Sequence, residues 1–183
     1  APCSAFDYIG LFNTAVRLND PVLIIEHADL YDQVGRVPVN NMDYYVAYGA
    51  AKIVRPGTDV TVLTYSVGVH DCVAAAAELQ MMNINVEVVD LRTLDYTGMD
   101  FDTIGKSIRK THRILIVEQT PRSMGIAARL SDEIQERFFD YLDNPVEKIA
   151  AADVPPPVSK ALETAMIPSV ANIRERIELL ATY

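Results

Sequence analysis

Few residues in this chain have both the type and the spacing to do chemistry. Glu26 and His27 stand side by side after the apolar run Val22–Ile25, and they are the best acid–base pair on offer. A histidine beside a carboxylate is, however, as readily a structural pair as a catalytic one. Asp90 and Arg92, two apart on an apolar stretch that reads as a strand, share one face and either form an ion pair or bind an anion. With Thr93 and Glu118 they make a candidate rim of a site. His70-Asp71-Cys72 sets three reactive types in a row, but consecutive helical positions face different ways and cannot converge on one atom. His112, beside Arg113 at a predicted helix end, reads as a cap for free carbonyls. Cys3 and Cys72 are too few for a disulfide framework or a cysteine-based metal site and read as two reduced thiols. Neither GxGxxG nor GxxxxGK(S/T) occurs among the eight glycines, so a phosphate-cradling loop is not predicted. These residues do not add up to a complete catalytic set.

The formal net charge of −9 argues against a nucleic-acid surface, which needs clustered Lys and Arg. The acidic excess serves solubility or attracts a basic partner. No apolar run approaches the ~18 residues of a membrane span, and the first residues lack a basic-then-apolar secretory pattern. The expectation is a soluble, cytoplasmic protein.

The elements that must position these residues follow from periodicity. Val86, Val88, Val89 and Leu91 form one β-branched apolar run, and Ile114 to Val117 form another. Uninterrupted runs of this kind suit strands buried on both faces of a parallel sheet. Between them Phe101, Ile104 and Ile108 mark a helix, capped by Asp100, which completes a βαβ crossover. In such a sheet function sits past the carboxyl ends of the strands, here at Asp90–Thr93 and Glu118-Gln119. Upstream, Ser4 with Asp7 makes a capping-box-like start to a helix with Ala5, Ile9, Phe12 and Val16 as its buried stripe, ended by Asn19-Asp20-Pro21. Val22–Ile25 reads as a short strand. One helix and one strand cannot bury their own apolar faces, so a further upstream part is expected.

Residues 33–48 lack periodicity and read as a linker. Ala51–Val54 and Val60–Thr64 then read as strands around the Arg55-Pro56-Gly57 turn, followed by a helix from Val67 whose Ala74–Ala77 run would let it lie close to the sheet. A helix with Ile126, Leu130, Ile134 and Phe138 inward, a strand at Val146–Ile149, an extended Val154–Pro157 stretch, a short helix at Ala161-Leu162 and a last helix begun by Pro168 complete the chain. The alternation predicts an α/β sandwich around a mainly parallel sheet.

DLRTLD, starting at Asp90, followed by DTIGKSIRKTHRILIVEQ from Asp102, resembles the carboxyl-terminal half of the beta subunit of thiamine-diphosphate-dependent 2-oxo acid dehydrogenases, in the transketolase superfamily. Many members have a proline soon after the LRT, where this chain has Asp95-Tyr96-Thr97-Gly98-Met99-Asp100, more like a bacterial branch. The resemblance implies the transketolase carboxyl-terminal-domain fold, a three-layer sandwich, for residues 49–183. Residues 33–48 become the interdomain linker, and residues 1–32 become the last helix and strand of a pyrimidine-binding domain. It further implies an intact enzyme that decarboxylates a 2-oxo acid, pyruvate foremost, on thiamine diphosphate and Mg²⁺ and passes the acyl group to lipoamide.

The activating glutamate and the Mg²⁺ motif of the family match nothing here, so this chain alone is expected to be inactive. Its implied roles are dimerisation with a second beta subunit, assembly with an alpha subunit or domain, and docking to the subunit-binding domain of a dihydrolipoamide acyltransferase. Leu142-Asp143-Asn144-Pro145 matches the family's docking segment, with Asp143 and the carboxylate of Tyr183 holding basic residues. Ala15, Leu18 and Asp20 match main-chain ligands of a potassium ion, half of whose ligands come from upstream. Alternatives are a free-standing, non-catalytic interaction module of the same fold, or another transketolase-superfamily enzyme such as transketolase or a deoxyxylulose-phosphate synthase.

Overall fold

The computed structural model describes residues 1–182. Tyr183, the expected docking carboxylate, lies outside the described residues.

The apolar runs become a five-stranded sheet. Its strands are β1 (Lys52–Arg55), β2 (Val60–Thr64), β3 (Val86–Asp90), β4 (Ile114–Pro121) and β5 (Glu147–Ala151), in the order β1-β3-β2-β4-β5. All neighbours are parallel except β1, which runs antiparallel to β3 on the edge. β2 lies at the centre, with Val62 in register with Val88 on one side and Leu115 on the other. Every residue of β2 and β3 is buried, the charged Glu87 and Asp90 included, as in strands covered on both faces.

Each face carries its own helices. On one, Val62, Val88 and Leu115 pack with Cys72, Ala76 and Leu79 of α2 (Gly68–Gln80) and Ile173, Ile177 and Leu180 of α6 (Val170–Thr182). On the other, Leu63, Val89 and Ile116 pack with Ile104 and Ile108 of α3 (Phe101–Thr111) and Leu130 and Ile134 of α4 (Ala127–Phe138). Alternate residues of each strand feed alternate cores, which makes the three-layer α/β sandwich. Of the four-alanine run only Ala75 and Ala76 face the sheet. α3 starts on Asp100, whose side chain accepts from Thr103 N, and ends at His112, where φ is +60° and the backbone N–H donates to Ile108 O. A short helix, α5 (Lys160–Met166), follows the proline-rich stretch.

The amino-terminal segment departs from expectation. The first helix, α1 (Ala5–Ala15), is capped by Ser4, which accepts from Asp7 N, but it ends well before Pro21. Its expected inward stripe faces out: Phe12 is 46% and Val16 65% exposed, while Asp7 and Gly10 are the buried positions. Val22–Ile25 is not a strand, because no neighbouring chain among the described residues offers it a ladder of hydrogen bonds. Residues 33–48 are irregular but fold back on α1. Tyr44 stacks on Phe6 at 4.5 Å, Asn13 Nδ2 donates to Met42 O and Tyr44 O, and Val46 N donates to Gly10 O.

Candidate functional site

The carboxyl ends of β2, β3 and β4 converge where α1 and the first turns after each strand meet. Beyond β3 the chain cannot continue straight: Leu91 N still donates to Thr64 O of β2, but Arg92 takes φ +54° in the left-handed region. Its N–H then folds back to Asp90 Oδ1 at 3.0 Å. Arg92 is therefore past the strand end rather than on the same face two positions on. Its guanidinium is ion-paired with the fully buried Asp7 of α1, and its Nε lies 4.0 Å from Asp90 Oδ2. Ser4 Oγ donates to Asp7 Oδ2 at 2.5 Å, and Cys3 Sγ sits 3.4 Å from the same oxygen. Burial raises the Asp90 carboxyl above its ordinary value, against the lowering contacts of Cys3 and the Arg92 N–H. Burial likewise pushes the Cys3 thiol up. Asp7 and Cys3 were not recognised as site residues from sequence. The Ser4/Asp7 capping pair was the available signal, but it says nothing of a partner on β3.

Glu118, on β4, is separated from Asp90 and Arg92 by β2 and serves a different purpose. Its Oε2 accepts from Ile126 N at 3.0 Å and its Oε1 from Ala127 N at 3.3 Å, the free N–H groups at the start of α4. Ile126 has no side chain able to cap that helix, so a carboxylate from the strand does it instead. A Cβ at Gly125 would overlap the Glu118 carboxylate, so any larger residue there would push that carboxylate from the start of α4. Tyr65 OH also reaches Glu118 at 3.3 Å, and burial pushes the Tyr65 hydroxyl up to about 12. Burial raises Glu118 as well, opposed by the two helix N–H groups.

Glu26 and His27 bond to different partners. Glu26 accepts from Tyr31 OH at 2.7 Å, and that bond, with a weaker one from Tyr8, lowers its carboxyl below the ordinary range. His27 pairs Nε2 with Gln119 Oε1 at 3.0 Å and takes Asp29 N on Nδ1 at 3.2 Å. Both residues line a hollow of about 410 Å³ with Tyr8 and Tyr31. His70 Nε2 meets Cys3 O at 2.7 Å while Cys72, two positions on, is fully buried, so that triplet diverges as helical geometry demands. His112 Nδ1 reaches Tyr141 O at 2.8 Å.

A larger cleft, about 760 Å³, opens between α1 with the 18–25 segment and the loop after β3. Ala15, Leu18 and Asp20 line one wall, and Tyr48, Asp95 and Thr97 the other. Ala15 O already accepts from Leu18 N at 3.1 Å. The polar wall closes on itself, since Tyr48 OH and Thr97 Oγ1 both donate to Asp95. On the far side of the molecule Asp143 is exposed, with its Oδ2 3.9 Å from Arg113 Nη2.

Residues 49–173 match the family described as transketolase, C-terminal domain. The chain is 38% identical over 183 residues to the pyruvate dehydrogenase E1 component subunit beta of Rickettsia felis, covering 100% of this chain and 55% of that protein. It is 38% identical over 172 residues to the acetoin:2,6-dichlorophenolindophenol oxidoreductase subunit beta of Cupriavidus necator, covering 94% of this chain and 50% of the relative. The chain thus spans about half the length of the curated relatives it matches. A solved structure described as a split gene transketolase, inactive beta4 tetramer, superposes with a TM-score of 0.65 at 21% identity, over 81% of this chain and 46% of that one, a likeness of fold. The strand order, the two helical layers and the family match together place this chain in the transketolase C-terminal domain family.

Proposed function

We propose that this chain is the carboxyl-terminal part of the beta subunit of a thiamine-diphosphate-dependent 2-oxo acid dehydrogenase, and that its own work is assembly rather than chemistry. The observation that carries the reading is that similarity to beta subunits runs through all 183 residues, including residues 1–48, which lie outside the transketolase C-terminal domain match. Residues 1–32 then belong to the preceding pyrimidine-binding domain, and 33–48 link it to the domain of residues 49–183. The outward-facing Phe12 and Val16 and the unpaired Val22–Ile25 segment are surfaces that an upstream half would cover.

Among the described residues, those lining the larger cleft do not fit thiamine diphosphate or Mg²⁺. The cleft presents Asp95 already engaged by Tyr48 and Thr97, with neither a carboxylate cluster for the metal nor a glycine-rich run of free N–H groups for a diphosphate. The cofactor chemistry therefore belongs to other parts of the enzyme. In the complete assembly the reaction is oxidative decarboxylation of a 2-oxo acid, pyruvate foremost, with lipoamide as acceptor. Partners are an alpha subunit, a second beta subunit and the acyltransferase's basic subunit-binding domain, met by Asp143. Main-chain oxygens of Ala15, Leu18 and Asp20 contribute part of a potassium site. No described helix is long and apolar enough to cross a membrane.

The test is reconstitution. The chain, joined to the amino-terminal half of a relative's beta subunit and mixed with an alpha subunit, is given a 2-oxo acid with either lipoamide or a sugar aldehyde as acceptor. Acyl transfer to lipoamide supports the reading. Transfer only to the aldehyde points to a transketolase, and failure of the chain to associate with either subunit points to a free-standing module.

A further inference from the structure

Beneath the Arg92 turn lies a cluster that the assembly role does not use. Cys3, before α1, Asp7, on its first turn, and Asp90, at the end of β3, are all buried. Each offers one sulfur or carboxylate oxygen, and the three atoms lie within 4.8 Å of one another. Two carboxylates here share one guanidinium, and the Ala1 ammonium, which donates to Arg92 O at 2.8 Å, is the other positive group nearby. One oxygen is still left without a donor: Asp90 Oδ2 is buried and accepts no hydrogen bond, and Arg92 Nε, 4.0 Å away, is likewise unpaired. A buried carboxylate oxygen with no donor is rare and costly, and a bound cation removes that cost.

We propose that Cys3 Sγ, Asp7 Oδ2 and Asp90 Oδ2 bind one divalent transition-metal ion of the zinc type, which fastens α1 to the carboxyl end of β3. One thiolate and two carboxylate oxygens form a mixed soft and hard donor set suited to such an ion, with a water in the remaining position. The surrounding groups already orient the ligands: Arg92 holds the other oxygen of Asp7, its N–H holds Asp90 Oδ1 at 3.0 Å, and Ser4 Oγ donates to Asp7. With the thiol proton released to water, the thiolate and two carboxylates are balanced by the ion and the guanidinium. Seen in sequence alone, two cysteines looked too few for a metal site; the carboxylates that complete this one come from positions 4 and 87 residues away from Cys3.

The experiment is titration of the metal-free chain with cobalt(II), followed by absorption and equilibrium dialysis. The expected result is about one cobalt per chain with a sulfur-to-cobalt charge-transfer band. Cys3→Ala should lose the band and weaken binding roughly tenfold or more, and Asp90→Asn should weaken it comparably. Cys72→Ala, which removes the buried thiol outside the cluster, should change neither. A cobalt complex without the band, a band that survives Cys3→Ala, or unchanged binding by Asp90→Asn overturns the proposal. Circular dichroism of each variant separates lost ligation from lost folding. If Cys3→Ala does not fold, Cys3→Ser, which keeps the side-chain shape, takes its place.

Discussion

The Arg92 guanidinium is ion-paired with the carboxylate of Asp7 across 85 positions of sequence, and both are buried. That pair ties the amino-terminal segment to the sheet. Removing one partner of a buried pair strands the other charge, so Arg92→Met should lower the unfolding free energy by about 3–5 kcal/mol in urea denaturation. The double variant Asp7→Leu with Arg92→Met should cost less than the sum of the two single changes. Additive costs would mean that the pair carries no coupling.

Glu118 supplies the cap that α4's own sequence lacks. Glu118→Ala should cost about 1–2 kcal/mol, the usual loss when a helix start is left uncapped. The charge adds a pH signature. Because burial raises Glu118 in the folded state, the folded protein holds this proton more tightly than the unfolded chain does. Its contribution is fully present below the ordinary carboxyl value and is lost as pH rises through the raised one. Wild type should therefore lose stability relative to Glu118→Gln as pH climbs through that window. A stability difference independent of pH between the two proteins would exclude this account.

Phe12 and Val16 face outward from α1. Phe12→Ser and Val16→Ser should shift the melting free energy of this chain by less than about 0.5 kcal/mol, as exposed positions do. The same changes should impair association with a supplied amino-terminal half, measured by co-purification. If they unfold the chain instead, the stripe packs inward after all.

Asp143 is accessible for docking, and its link to Arg113 is loose at 3.9 Å. Asp143→Ala should raise the Kd for a basic subunit-binding domain by roughly fivefold at low salt and flatten the salt dependence. Calorimetry at two ionic strengths reads both. An unchanged Kd removes Asp143 from that interface.

Sequence by itself determined the sandwich. Val86, Val88 and Val89, and the run Ile114–Val117, are apolar and mostly β-branched, which favours strands covered on both sides. The helical stripes at Ile104 and Ile108, and at Leu130 and Ile134, supply the cover. Asp100 and Ser4 could be recognised as caps because a cap bonds within three residues of itself.

Only the tertiary structure decided the partners of the charged residues. Asp90 and Arg92 read as a pair on one strand face; a positive φ at Arg92 sets its guanidinium on Asp7 as well, while its Nε stays 4.0 Å from Asp90 Oδ2. Glu118 looked like part of the same rim, yet β2 stands between them and the carboxylate is taken by the start of α4. Glu26 and His27, adjacent in sequence, answer to Tyr31 and Gln119. Local periodicity records which face of an element is apolar. It does not record which distant backbone group or charge will arrive beside a polar side chain, because that depends on strand order and on the path of the loops.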